Sequence, residues 1–152
     1  MNSIDYKIAI FPLSDEFIKC LSAFDSNEMN YFWNFDQWKQ MNTDNSLFYL
    51  STLSKSDNLV GFALYGLSSD QAHLLKIAVR NDLRKQSLAS IMFKKDLSEL
   101  QQKGILSIYL EVAEDNIAAN RFYEKLGFEI LTVKKKFYSD GSNANAMSLM
   151  VK

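Results

Sequence analysis

Two stretches of this chain bring together residue types that could do chemistry. The first is Val79-Arg80-Asn81-Asp82-Leu83-Arg84-Lys85-Gln86-Ser87-Leu88-Ala89, which joins a predicted strand to a predicted long helix through small and polar residues. A helix start carries unpaired backbone N–H groups and the positive end of the helix dipole, and together these suit a pyrophosphate. Arg84 and Lys85 add positive charge beside it. The second stretch is Leu110-Glu111-Val112-Ala113-Glu114-Asp115-Asn116 followed by Arg121-Phe122-Tyr123-Glu124-Lys125-Leu126-Gly127-Phe128. Here Glu111 falls on the polar side of an alternating strand and Tyr123 on a short helix. Taken alone, Glu111 also fits a solvated carboxylate, and Tyr123 a core aromatic with its hydroxyl at the surface. His73, the only histidine, reads as a strand residue facing solvent or an inter-strand neighbour. Cys20 has no Cys or His at metal-ligand spacing and reads as a small core residue; no metal site is expected.

The elements that must position these residues are legible as periodicities. Tyr6 to Phe11 alternates as a strand, and Ser14-Asp15-Glu16 reads as a helix start leading into Phe17, Ile18 and Leu21. A second short helix begins near Asn34 or Asp36. Leu47 to Leu53 and Leu59 to Leu67 form a hairpin-like pair around the polar turn Ser54 to Asn58, and His73 to Val79 is another strand. Leu88, Ile91, Met92, Leu97 and Leu100 recur at helical spacing with Gly104 as a stop. Leu106, Ile108, Leu110 and Val112 place one face of the next strand in the core, with Glu111 on the other. Asn116 to Leu126 is a short helix closed by Gly127; Phe128 opens a strand, and Ala146 to Val151 is the last one. Crossover helices imply parallel pairing in the centre of the sheet, and hairpins imply antiparallel pairing at its two ends.

With 152 residues and no repeat, low-complexity tract or Pro/Gly-rich linker, one α/β (α+β) domain spanning 1–152 is expected. Nearly half the residues are apolar, 47%, and the net charge is −1, the usage of an ordinary globular protein. Lys134-Lys135-Lys136 is the only basic run, too short for a nucleic-acid footprint. No apolar run is long enough for a signal peptide or a membrane span, and the lone cysteine fits a reducing compartment, so a cytoplasmic protein is expected.

The Asn, Tyr and Leu-Gly-Phe of the second stretch closely resemble the acetyl-CoA signature of the GNAT superfamily of N-acetyltransferases, and the first stretch matches that family's pyrophosphate loop. The resemblance runs from about Asp70 to Leu149. Leu110 to Val112 with Tyr123, and the tail Lys135-Lys136-Phe137-Tyr138 with Asp140-Gly141, look most like the bacterial ribosomal-protein alanine N-acetyltransferases and their archaeal and eukaryotic N-terminal relatives. It implies the GNAT fold: a mixed sheet of about six to seven strands flanked by about four helices, splayed between the fourth and fifth strands. It also implies acetyl-CoA as acyl donor. The backbone of Ile77, Ala78 and Val79 would pair with the pantetheine arm. Arg84, Lys85, Gln86, Ser87, Leu88 and Ala89 would wrap the pyrophosphate, with Ser87 where the family usually has its first glycine and Ala89 at the second small position. Asn116 would hydrogen-bond the pantetheine or the following backbone turn.

By the same resemblance Glu111 stands where the family places the general base and Tyr123 where it places the acid that reprotonates the CoA sulfur, and His73 is a reserve base. An N-terminal amine has a pKa near 8, so a modest base suffices. Trp33, Phe137 and Tyr138 would border the acceptor. The leading reading is acetyl transfer to the N-terminal α-amine of a protein, such as a ribosomal protein, by direct attack in a ternary complex. A small amine (polyamine, amino acid or antibiotic) is the alternative acceptor, and a non-catalytic acyl-CoA-binding module is the reading from another class. Monomer and homodimer are both compatible with the sequence.

Overall fold

A computed structural model of the chain describes residues 3–42 and 47–151. In chain order the elements are β1 (Ile4–Ile8), α1 (Asp15–Glu28), α2 (Phe35–Met41), β2 (Phe48–Lys55), β3 (Asn58–Ser68), β4 (Gln71–Val79), a 3-10 helix (Asn81–Gln86), α3 (Leu88–Gln102), β5 (Ser107–Ala113), α4 (Ile117–Leu126), β6 (Glu129–Lys134) and β7 (Ala144–Met150).

Local chemistry accounts for most boundaries. Ser14 caps α1 by accepting from the Phe17 N–H at 3.1 Å, and Asn34 with Gln37 forms a reciprocal capping box at the start of α2. The β2–β3 hairpin turns on Ser56 and Asp57, both at positive φ (51° and 64°), the twist that two-residue hairpins require. Gly127, at φ 104°, closes α4 in the left-handed conformation that glycine adopts without a Cβ penalty. The first strand occupies Ile4–Ile8 rather than Tyr6 to Phe11. It pairs with β2 from Ile4–Lys55 to Ile8–Ser51, and the chain has left the ladder before Pro12, which has no N–H to donate.

The seven strands form one sheet in the order β1-β2-β3-β4-β5-β7-β6. Its centre holds the parallel β4–β5 pair, while the other neighbours are antiparallel. β7 inserts between β5 and β6, so the crossover through α4 carries the chain to the sheet edge. On one face α1 and α2 bury Ile18, Leu21 and Trp38 against Leu50, Phe62, Leu64 and Ala78. On the other, Met92, Phe93 and Leu100 of α3 pack on Tyr65, Leu74, Ile108 and Leu110. Cys20 is exposed, not a core residue; Ile18, Leu21 and Asp25 define the buried stripe of α1, and Cys20 lies off it.

Candidate active site

The decisive feature is a failure of pairing. β4 and β5 are hydrogen-bonded only from Gln71–Ser107 to His73–Tyr109. Beyond that rung, β4 stays paired to β3 through Val79 and β5 stays paired to β7 through Ala113. The two strands therefore part, and each turns a backbone edge toward the gap. A register shift between Leu64 and Tyr65 of β3 leaves Leu75 as an extra residue in β4, and such a bulge bends its strand. The cleft so formed has a volume of about 1330 Å³, room for a long ligand rather than a small fragment.

At one end the cleft is closed by the start of α3 and by α4. Ser87, Ala89, Asn116, Phe122 and Tyr123 line it. Ser87 sits in the left-handed region (φ 60°, ψ 18°) and its side chain makes no capping hydrogen bond to α3. A non-glycine residue is strained in that conformation. Asn116 caps α4 by accepting from the Ala119 N–H at 3.1 Å. Ile77, Ala78 and Val79 line the cleft from β4, as does Arg84. The Arg84 guanidinium is engaged inside the protein: it donates to Val79 O at 2.9 Å, to Glu28 O at 3.2 Å and to Glu28 Oε1 at 2.8 Å. Leu88 packs against the core; the side chains of Lys85 and Gln86 lie outside the described residues.

At the splay itself, Glu111 Oε1 lies 2.6 Å from His73 Nε2 and accepts from it, and Oε2 accepts from Lys134 Nζ at 2.8 Å. Burial works to raise the pKa of the Glu111 carboxyl. Hydrogen bonds from Lys134, Tyr109 and His73 outweigh burial and hold it below the ordinary glutamate value. Glu111 in turn raises the pKa of Lys134, whose ammonium also sits over the rings of Tyr109 and Phe137, at 5.2 and 5.4 Å from their centroids. Across the cleft, burial raises the pKa of the Tyr123 phenol, and the nearby Tyr138 adds to the effect. Tyr123 is therefore neutral and protonated at rest.

The other end of the cleft is walled by the α1–α2 connection and the β6–β7 loop. Tyr31 and Tyr138 stack at 4.2 Å with planes 14° apart, and Tyr31 Oη donates to Asp140 Oδ2 at 2.9 Å. Tyr138 lines the cleft and Trp33 and Phe137 do not. Trp33 lies beneath the Lys76 ammonium, 5.0 Å from it, and Phe137 packs beside Lys134.

Sequence reasoning passed over several contributors. Lys134 was visible only as part of a basic run. Asn120, buried on α4, donates to Ala113 O at 3.0 Å and Asn116 O at 2.7 Å and accepts from Asn145 at 2.8 Å, which locks α4 to the end of β5. An asparagine on the inner side of an amphipathic helix was the available signal. Among the described residues no group of His, Cys, Asp and Glu could hold a metal ion, and no helix is long and apolar enough to cross a membrane.

A mixed sheet splayed over a long cleft, with a helix start at one end, is the architecture of a ligand-binding α/β domain. The model of the Acetyltransferase (GNAT) family matches residues 11–128, and the chain belongs to that family. The [ribosomal protein bS18]-alanine N-acetyltransferase of Haemophilus ducreyi is 32% identical over 96 residues, covering 62% of this chain and 66% of that protein. The chain thus spans just under two thirds of the length of that relative. The crystal structure of Ard1 from Thermoplasma volcanium superposes with a TM-score of 0.81 at 27% identity, covering 97% of this chain and 98% of that one. The ribosomal-protein-S18-alanine N-acetyltransferase of Escherichia coli, at TM-score 0.84 and 24% identity over 97% of this chain and 95% of its own, shares the fold.

Proposed function

We propose that this chain is one acetyltransferase domain, over residues 1–152, which transfers the acetyl group of acetyl-CoA to the N-terminal α-amine of a protein in the cytoplasm. The observation that carries this reading is that Glu111, beside the point where β4 and β5 part, and Tyr123, on α4, line the same cleft. Membership of the family, and similarity to a [ribosomal protein bS18]-alanine N-acetyltransferase, support the same reading.

Acetyl-CoA fits the chain's own residues. Beyond His73 the edge of β4 that faces β5 is unpaired, so the backbone of Ile77 to Val79, apart from the Val79 carbonyl that Arg84 holds, can pair with an extended amide-bearing arm. The unpaired first-turn N–H groups of α3 would suit a diphosphate. The acceptor amine, with a pKa near 8, is partly neutral at physiological pH. It attacks the thioester carbonyl carbon, a C–N bond forms, and the C–S bond breaks in the same ternary complex. Glu111 holds the amine by hydrogen bonding and draws off its proton, directly or through water. His73, on Glu111 Oε1 and with its side chain 40% exposed, gives that proton a route to solvent. Tyr123 supplies the proton that the departing thiolate takes up, and solvent re-supplies the phenol. A backbone N–H on β4 suits stabilisation of the carbonyl oxygen.

The test is mass spectrometry of a panel of peptides with free N-termini, incubated with acetyl-CoA and the protein. Acetylation at the α-amine is the expected result. Product from polyamines, amino acids or aminoglycosides alone would assign a small-amine acceptor, and CoA binding with no product from any amine would assign a binding module.

A further inference from the structure

A buried ion pair outside the proposed chemistry lies against the end of the cleft walled by the α1–α2 connection and the β6–β7 loop, the end read as the acceptor's. Asp25 on α1 and Lys76 on β4 meet at 2.9 Å with side chains 0% and 3% exposed. Asp25 Oδ2 also accepts from the Trp33 N–H at 2.9 Å and from Trp38 Nε1 at 3.1 Å. Lys76 Nζ donates to the carbonyl of Tyr31 at 3.0 Å and lies over the Trp33 ring. The pair thus grips the α1–α2 connection at two backbone points, Tyr31 O and Trp33 N. Tyr31 carries the ring that stacks on Tyr138 and the hydroxyl that meets Asp140.

Stability does not explain this arrangement. Burial lowers the pKa of Lys76 against the pull of Asp25, and, among the described residues, Asp25 Oδ1 is buried with no hydrogen-bond partner. Well-packed apolar residues in place of such a pair are often as stable or more so. What an apolar pair cannot supply is a fixed donor for Tyr31 O.

We propose that Lys76, anchored by Asp25, is a positioning residue that sets the acceptor wall of the cleft by holding the Tyr31 backbone so that its ring meets Tyr138. The inference rests on the reading of this cleft end as the acceptor site. The bonds that the pair makes, to Tyr31, Trp33 and Trp38, do not involve α3 or α4, so CoA binding is expected to change little.

The experiment compares wild type, Lys76→Arg, Lys76→Met and the double variant Asp25→Asn/Lys76→Met, using an alanine-initiated peptide, acetyl-CoA and CoA. The double variant keeps an acceptor for Trp33 and Trp38 and buries no unpaired charge; it loses the donor to Tyr31 O and the ammonium over the Trp33 ring. It is expected to melt near the wild-type temperature and to bind CoA with a Kd within roughly twofold of wild type. Its KM for the peptide is expected to rise roughly tenfold or more, the scale of one lost charge-assisted hydrogen bond, with a smaller change in kcat. Lys76→Arg, which restores a donor, is expected to recover most of the peptide KM. An unchanged peptide KM in the double variant, or a parallel rise in peptide KM and CoA Kd, would overturn the proposal. A wild-type protein that binds CoA but acetylates no peptide would overturn the acceptor reading and this inference with it, a result distinct from either of those.

Discussion

Glu111 and His73 meet at 2.6 Å across the point where β4 and β5 stop pairing. The last paired rung is His73–Tyr109, and Glu111 lies two residues further along the same face of β5 as Tyr109. A carboxylate and an imidazole are thereby held where the two strands part and the cleft begins. With Lys134 on its other oxygen, Glu111 is fixed in orientation and kept ionised, suited to hold an amine and pass its proton on.

Replacing Glu111 with Gln is expected to lower kcat by roughly 10²- to 10⁴-fold, the usual range for a lost acid–base group. Lys134 and His73 would both lose a charged partner, while the donor end of the cleft keeps its contacts, so the CoA Kd should be unchanged. Initial rates with a peptide acceptor and a calorimetric CoA titration separate the two effects.

Tyr123→Phe removes the proton donor and little else, since the ring contacts with Phe122 and Phe128 remain. A fall in kcat of about 10²-fold with an unaltered melting temperature is expected. Loss of activity accompanied by a large drop in melting temperature would instead mark Tyr123 as a core residue.

Ser87→Gly relieves a left-handed backbone at the start of α3. Relief of about 1 kcal/mol, less the roughly 0.4–1 kcal/mol of extra freedom glycine has in the unfolded chain, should raise the melting temperature by no more than about 2 °C. The variant's Kd for CoA should be equal to wild type or tighter, which thermal shift with and without CoA would show.

Asp96 on α3 is buried and accepts from Tyr6 at 2.7 Å and Tyr65 at 2.8 Å. Burial raises its pKa to about 6, in spite of the hydrogen bonds that favour its ionised form. In the unfolded chain the group titrates near 4. Between these values the folded protein binds more protons than the unfolded one, so stability from this group is fully present below about pH 4 and is lost as pH rises to about 6. The change is at most about 3 kcal/mol. Urea unfolding of wild type and Asp96→Asn at pH 4, 5, 6 and 7 should show wild type losing stability relative to the variant across that span. Parallel curves would contradict it. Glu111 works in the opposite sense, its depressed pKa adding stability above the unfolded value that is lost as pH falls.

Much of the fold was legible because it is written in local periodicity and end chemistry. Ser14, Asn34, Asn116 and Gly127 mark helix ends through their own hydrogen bonds or backbone angles. The alternation in β5 that separates Glu111 from Leu110 and Val112 follows from a repeat of two. The 3-10 helix at Asn81–Gln86 was not legible, since a polar linker with few apolar residues carries no periodic signal.

What the chain alone determined is therefore its strands and α-helices, most of their caps, and the two stretches in which Glu111, Tyr123 and Ser87 stand. Tertiary structure alone decided the partners. His73 and Glu111 are 38 residues apart, Lys134 and Glu111 are 23 apart, and Lys76 reaches a carbonyl 45 residues away. No local pattern encodes such pairs, because they arise only when β7 inserts beside β5 and when β4 and β5 part. The buried Asp25 was hidden for the same reason: an acidic residue on a helix reads as solvated until another element covers it with the donors that make its burial tolerable.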